Sequence, residues 1–169
     1  MIRALTPQDI DAFIEIRMLG LKTHPEAFGA AYEEGIDREK TLRNLYAKND
    51  EDFILGYFAG DFLVGIVGFL RYTRLKMRHK GWIWGMYVRP QYHGRGIGKA
   101  LMETCMEKAS ALEGLQKVTL SVTHTMIPAK RLYESVGFLT YGVEKDSMRV
   151  GGNRYDEILM SRETAAAPG

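Results

Sequence analysis

A single cysteine, Cys105, excludes an internal disulfide and a thiolate-held metal cluster. No charge sign dominates either: the formal net charge is +2, which provides no electrostatic footprint for nucleic acid or a membrane surface. Long apolar runs are also missing. Met1-Ile2-Arg3-Ala4-Leu5 opens nothing of the length a signal peptide or spanning helix requires, so a cytoplasmic location is expected. Internal repeats and linker-like stretches are lacking too. What remains is an ordinary globular composition, 46% hydrophobic and 26% charged, in 169 residues. That length suits one domain with a full core, expected over 1–163, followed by a tail over 164–169 expected to fray.

The apolar pattern alternates between strand and helix periods. Ile2 to Leu5 reads as a short strand, and Thr6-Pro7 as the cap and first position of a helix carrying Ile10, Phe13, Ile14, the stem of Arg17, Met18 and Leu21. Asp37 caps a second helix with Leu42, Leu45 and Tyr46. Phe53–Ala59 and Phe62–Leu75 form a hairpin about Gly60-Asp61. Trp82–Val88 is the next strand, and its interior Gly85 signals a bulge or a close backbone approach. Ile97, Leu101, Cys105 and Ala109 stripe a helix running to Leu112, which places Cys105 in the core as a small hydrophobe. A strand at Val118–Val122 completes a right-handed parallel βαβ unit. A helix from Pro128 to Ser135 and a hairpin of Phe138–Val143 with Tyr155–Met160 follow. The fold class is α/β (mixed-sheet), a central twisted mixed sheet with flanking helices.

The informative segment is Met86-Tyr87-Val88-Arg89-Pro90-Gln91-Tyr92-His93-Gly94-Arg95-Gly96-Ile97-Gly98-Lys99-Ala100. Glycines between a strand and a helix let main-chain N–H groups converge, and the helix start adds unpaired donors and a positive dipole end. Such a place suits a phosphate or diphosphate, although a plain tight connection has the same composition. A dinucleotide fingerprint from Gly94 would need glycine at Lys99. A Walker A loop would need Ser or Thr at Ala100 and glycine at His93. Both fail, which argues against a nicotinamide enzyme or an NTPase.

At these residues the sequence resembles the GNAT acetyltransferases, whose signature is Arg/Gln-x-x-Gly-x-Gly/Ala after a strand with an aliphatic end. Gly96 and Gly98 match the glycines and Val88 the strand end, while His93 takes the Arg/Gln place. The second hallmark is Leu132-Tyr133 on a helix followed by Gly137-Phe138. Together the motifs cover Trp82 to Phe138, about a third of the chain.

The resemblance implies the GNAT fold and an acetyl-CoA-dependent N-acetyltransferase with no metal. It implies that His93, Gly94, Arg95, Gly96, Ile97, Gly98 and Lys99 surround the diphosphate. Met86, Tyr87 and Val88 would run along the pantetheine arm, with main-chain bonds from Met86 and Val88. Tyr133 would be the general acid that protonates the leaving thiolate. Met126 stands where the family often has asparagine. The family also makes a homodimer an option and an amine the acceptor, without saying which: amino acids, polyamines, aminoglycosides, peptide N-termini and lysine side chains all occur. The resemblance implies an acceptor pocket built where Pro25-Glu26-Ala27-Phe28-Gly29 and Tyr155-Asp156-Glu157 lie.

No carboxylate lies on Trp82-Ile83-Trp84, so the general base is open between His124, Glu33 or Glu34, and a water chain. The basic run Arg71, Arg74, Lys76, Arg78, His79 and Lys80 reads as a charged edge strand that protects solubility, or as an attractor of acidic ligands. A non-catalytic acyl-CoA-binding module is the alternative to an enzyme. A nucleic-acid binder would have to use the basic strand.

Overall fold

The computed structural model describes residues 1–164. One seven-stranded sheet runs through it: β1 Ile2–Ala4, β2 Asp52–Ala59, β3 Phe62–Arg71, β4 Lys80–Val88, β5 Lys117–Thr123, β6 Leu139–Val150 and β7 Asn153–Glu163. The spatial order is β1-β2-β3-β4-β5-β7-β6, and every neighbouring pair is antiparallel except β4 with β5. Helices α1 Ile10–Thr23, α2 Arg38–Tyr46, α3 Ile97–Ser110 and α4 Ile127–Ser135 flank it.

Strand alternation divides the core into two. Phe53 and Leu55 of β2 point to the face covered by α3, where Leu101, Met102, Cys105 and Met106 are fully or almost fully buried. Ile54 between them joins Ile10, Phe13, Ile16 and Leu45 of α1 and α2 on the other face. Because β3 is covered on both sides, its residues read as a continuous apolar run. Each side chain such as Phe69 or Leu101, withdrawn wholly from water, contributes roughly 1.5–3 kcal/mol of burial free energy.

Two features of β4 shape the site. Gly85 has φ +65°, and the β3–β4 register shifts where Ile66 faces Tyr87 but Gly68 faces Trp84. The bulge expected at this glycine is therefore present. The parallel pairing of β4 with β5 covers only Lys80–Trp82 against Lys117–Thr119, although both strands continue beyond it. Past Trp82 the sheet divides, and the unpaired edge of β4 faces the gap.

Several expectations are corrected. Helix α1 begins at Ile10, after a tight turn over Pro7–Asp9. Thr6 does not cap it through its side chain; Asp9, held by Arg3, accepts the Thr6 N–H instead at 2.8 Å. Strand β3 ends at Arg71 rather than Leu75, because the chain turns at 74–77 through Met77 N–H to Arg74 C=O. The basic run is not an edge strand: it joins two interior strands, and the sheet's edges are β1 and β6. Arg71 is buried there, donating to Glu51, to the Arg78 carbonyl and to the Glu113 carbonyl.

Helix α3 stops at Ser110, two residues before Leu112. The terminal hairpin is longer than expected, because an irregularity at Asp146 (φ 51°) hides the continuing alternation; Gly151-Gly152, both at positive φ, make its turn. The tail expectation began at Thr164, which is buried and hydrogen-bonded to Leu115 and Gln116; residues 165–169 lie outside the described residues. No described helix is long and apolar enough to cross a membrane.

Candidate active site

The glycine segment leaves a run of main-chain donors open. After a tight turn at Pro90–Tyr92, Gly94 and Gly96 adopt φ of 73° and 74°, the left-handed region that glycine enters without a Cβ clash. Helix α3 then starts at Ile97, and its first main-chain bond is Ala100 N–H to Gly96 C=O at 3.0 Å. The His93 N–H is taken by Pro90 C=O at 3.1 Å. Among the described residues, no protein acceptor meets the N–H of Gly94, Arg95, Gly96, Ile97, Gly98 or Lys99. Six open donors before and in the first turn of a fourteen-residue helix, at its positive end, make a candidate anion cradle.

The cradle opens into a cleft of about 380 Å³ between β4 and α4. One wall is Met86, Tyr87 and Val88 of β4; the other is Met126, Pro128, Ala129, Leu132 and Tyr133, at the start and along the length of α4. Arg89 N–H bonds Val64 C=O on β3 at 2.8 Å, so the same peptide's carbonyl, that of Val88, points the opposite way, into the gap. Tyr87 pairs with Ile66 on β3, so the carbonyl of the Met86–Tyr87 peptide, that of Met86, turns to the gap side as well. Gly98 keeps the passage open: a Cβ there would meet Leu132 and Met86 at 3.1 and 3.2 Å.

Tyr133 is buried and packs edge-on to Phe138. Its hydroxyl bonds no described residue, yet among the described residues no fully enclosed side-chain polar atom lacks a partner, so that hydroxyl opens to the cleft. Loss of solvation on burial pushes the phenol up to about 12, which keeps it protonated at neutral pH. Cys105 is wholly buried, its thiol pushed up to about 12 by the same cause, and it takes no part in the site.

Not every expected residue converges. Arg95 contributes its backbone to the cradle, but its guanidinium lies over the Tyr92 ring at 4.9 Å rather than in the cleft. Lys99 lines the cleft. His124 is exposed and outside the cleft lining; its Nδ1 accepts the Asp156 N–H at 3.1 Å. Glu33 and Glu34 sit in a short turn of their own and do not line the cleft. Sequence reasoning missed His24. This residue ends α1, and the turn after it is tied to β5 by Thr123 Oγ1 donating to Glu26 C=O at 2.6 Å. That tie brings the His24 ring to the inner end of the cleft, beside Tyr87. No local pattern announces such a position, since it depends on which strand the loop packs against.

The cleft continues. His24, Met86, Tyr87 and Tyr133 are shared with a smaller pocket whose far side is Ala27, Phe28, Ser121 and Thr123. Those four residues in turn line a cavity of about 440 Å³ on the other side of the gap. A long ligand in the first space and a second one in the last would meet near Tyr133.

The family model for the acetyltransferase (GNAT) family matches residues 19–138. The chain belongs to the GNAT acetyltransferase family. The mycothiol acetyltransferase of Salinispora arenicola is 28% identical over 158 residues, covering 88% of this chain and 47% of that protein. The spermidine N(1)-acetyltransferase of Vibrio cholerae is 23% identical over 128 residues, covering 75% and 73%. This GNAT chain thus spans about half the length of the mycothiol acetyltransferases it matches. A GNAT-family acetyltransferase from Streptococcus pneumoniae superposes with a TM-score of 0.87 at 25% identity, covering 96% of this chain and 98% of that one. A Salmonella typhimurium protein solved with its cofactor acetyl-CoA has the same fold, with a TM-score of 0.87 at 20% identity over 100% and 97% of the two chains. The expected mixed α/β GNAT fold is therefore the observed one.

Proposed function

We propose that this GNAT protein transfers an acetyl group from acetyl-CoA directly to an amine. The observation that carries the reading is the set of six unpartnered main-chain amides from Gly94 to Lys99 at the mouth of the cleft. A diphosphate is the chemistry such a cradle accepts, and the outward main-chain groups of Met86 and Val88 suit the amides of a pantetheine arm.

The residues then have distinct tasks. The cradle and the β4 edge hold one reactant, and the connected cavity holds the other; fixing the two side by side supplies much of the rate. The amine nitrogen bonds to the acetyl carbon as the carbon–sulfur bond breaks. The main-chain N–H of Met86, on the cleft wall, would stabilise charge growing on the carbonyl oxygen. Tyr133 gives its hydroxyl proton to the departing sulfur. The amine's proton leaves to water or to an imidazole, and the imidazole at the junction is His24, not His124.

The test is free-thiol release from acetyl-CoA across a panel of amines, with product mass measured. Thiol release coupled to an acetylated amine supports the reading. Tight acetyl-CoA binding without transfer to any amine would identify a binding module instead.

A further inference from the structure

Arg17 is a half-buried guanidinium with no partner. It lies on α1 and lines the 440 Å³ cavity beyond the junction, together with Phe28, Trp84 and Gly85. Burial alone acts on its ionisation, lowering it; no carboxylate, carbonyl or hydroxyl among the described residues hydrogen-bonds it or pairs with it. The protein's two buried arginines behave differently. Arg71 pairs with Glu51 at 2.9 Å and Arg89 with Glu15 at 2.8 Å. Withdrawing a cation from water without a counter-charge is costly, so a half-buried guanidinium that no protein group neutralises is open to an anion entering the cavity it faces.

The surroundings shape Arg17 for that role. Its guanidinium carbon stands 5.3 Å from the centroid of Phe28 and 5.8 Å from that of Trp84, which hold the plane without neutralising it. A Cβ on Gly85 would come within 3.2 Å of its Nη1, so the bulge glycine leaves the space that the fork occupies. The other charges on the cavity wall are Lys48, Asp52 and Glu157. Lys48 and Asp52 pair with each other. Among the described residues the Glu157 carboxylate accepts only from Ser147 Oγ, at 2.7 Å. Arg17 and Glu157 remain as one cation and one anion facing the same space.

We infer that Arg17 is the anion-binding residue of the acceptor site, and that the acceptor is a small amino-carboxylate, an amino acid in the simplest case. The fork takes the carboxylate in the two-bond geometry that guanidinium favours. Glu157 suits the incoming ammonium. This rests on the acetyltransferase reading and adds the substrate class to it.

The experiment uses the full chain with CoA present and compares L-amino acids, their carboxamides and spermidine by calorimetry. At least one acid should bind about tenfold or more tightly than its carboxamide, the loss expected when a charged partner is removed. Arg17→Gln should bring that ratio close to one while CoA affinity is unchanged, and Arg17→Lys should restore part of it. Arg17→Met, checked by its thermal melt, separates a folding defect from lost recognition. Equal binding of acids and amides, an unchanged ratio in Arg17→Gln, or binding of spermidine alone would overturn the inference. Thiol release on adding acetyl-CoA reads the other claim separately. An acid that binds through Arg17 without releasing thiol contradicts the transferase and keeps the carboxylate site, whereas acetylated spermidine without acid preference does the reverse.

Discussion

The Nε2–H of His93 donates to the carbonyl oxygen of Val88 at 2.7 Å. This bond folds the segment after β4 back onto the strand's open edge, so the residue in the family's Arg/Gln place braces the cleft wall. A carbonyl has two lone pairs, which leaves one for a ligand amide. His93→Ala should therefore change the CoA dissociation constant by less than about threefold, because the cradle is built from main-chain donors that the substitution leaves in place. Calorimetry with CoA measures this directly.

Gly96→Ala should act differently. Its φ of 74° is costly for any residue with a Cβ, so the variant should lose about 1–2 kcal/mol of stability. The same strain should turn cradle amides away from their common centre and weaken CoA binding. Thermal melting and calorimetry on one sample separate the two effects.

Tyr133→Phe should reduce turnover about 100-fold or more with little change in CoA affinity, since a positioned proton donor acts on the transition state. Steady-state rates beside equilibrium binding provide the comparison.

The two groups raised by burial also set an alkaline limit. The ordinary values are 9 for the Cys105 thiol and 10 for the Tyr133 phenol, and burial pushes each to about 12. The folded state holds both protons more tightly than the unfolded chain does. Their contribution to stability is thus complete below about pH 9 and is lost as pH rises toward about 12. Urea unfolding between these limits should show falling stability, and a Cys105→Ala/Tyr133→Phe chain should show a flatter decline.

Much of this was legible beforehand, and the misses have physical causes. The stripe of Ile97, Leu101, Cys105 and Ala109 announced α3, and Gly85 announced its bulge. Nothing local marks Trp82 as the last residue where β4 pairs with β5, because pairing ends when the neighbouring strand diverges. Arg71 looked like surface charge because its burial depends on Glu51 and Glu113, which are distant in the chain. His24 carries no local mark of a site residue, and Arg17 reads as an apolar stem on the α1 stripe, for the same reason: helix α1 has to pack across β4 before either one meets a cavity.

His24→Ala should lower turnover more than His124→Ala, since the first imidazole, unlike the second, lines the pocket that joins the two cavities. Parallel rates for both variants, with added imidazole restoring part of the loss in the first, check this placement.

The amide cradle can be observed residue by residue. In ¹⁵N-labelled protein, CoA should shift the amide resonances of Gly94 to Lys99, whereas pantetheine, which lacks the diphosphate, should leave them nearly unmoved while still shifting Met86 and Val88. CoA leaving the Gly94–Lys99 resonances in place would contradict the account at its foundation.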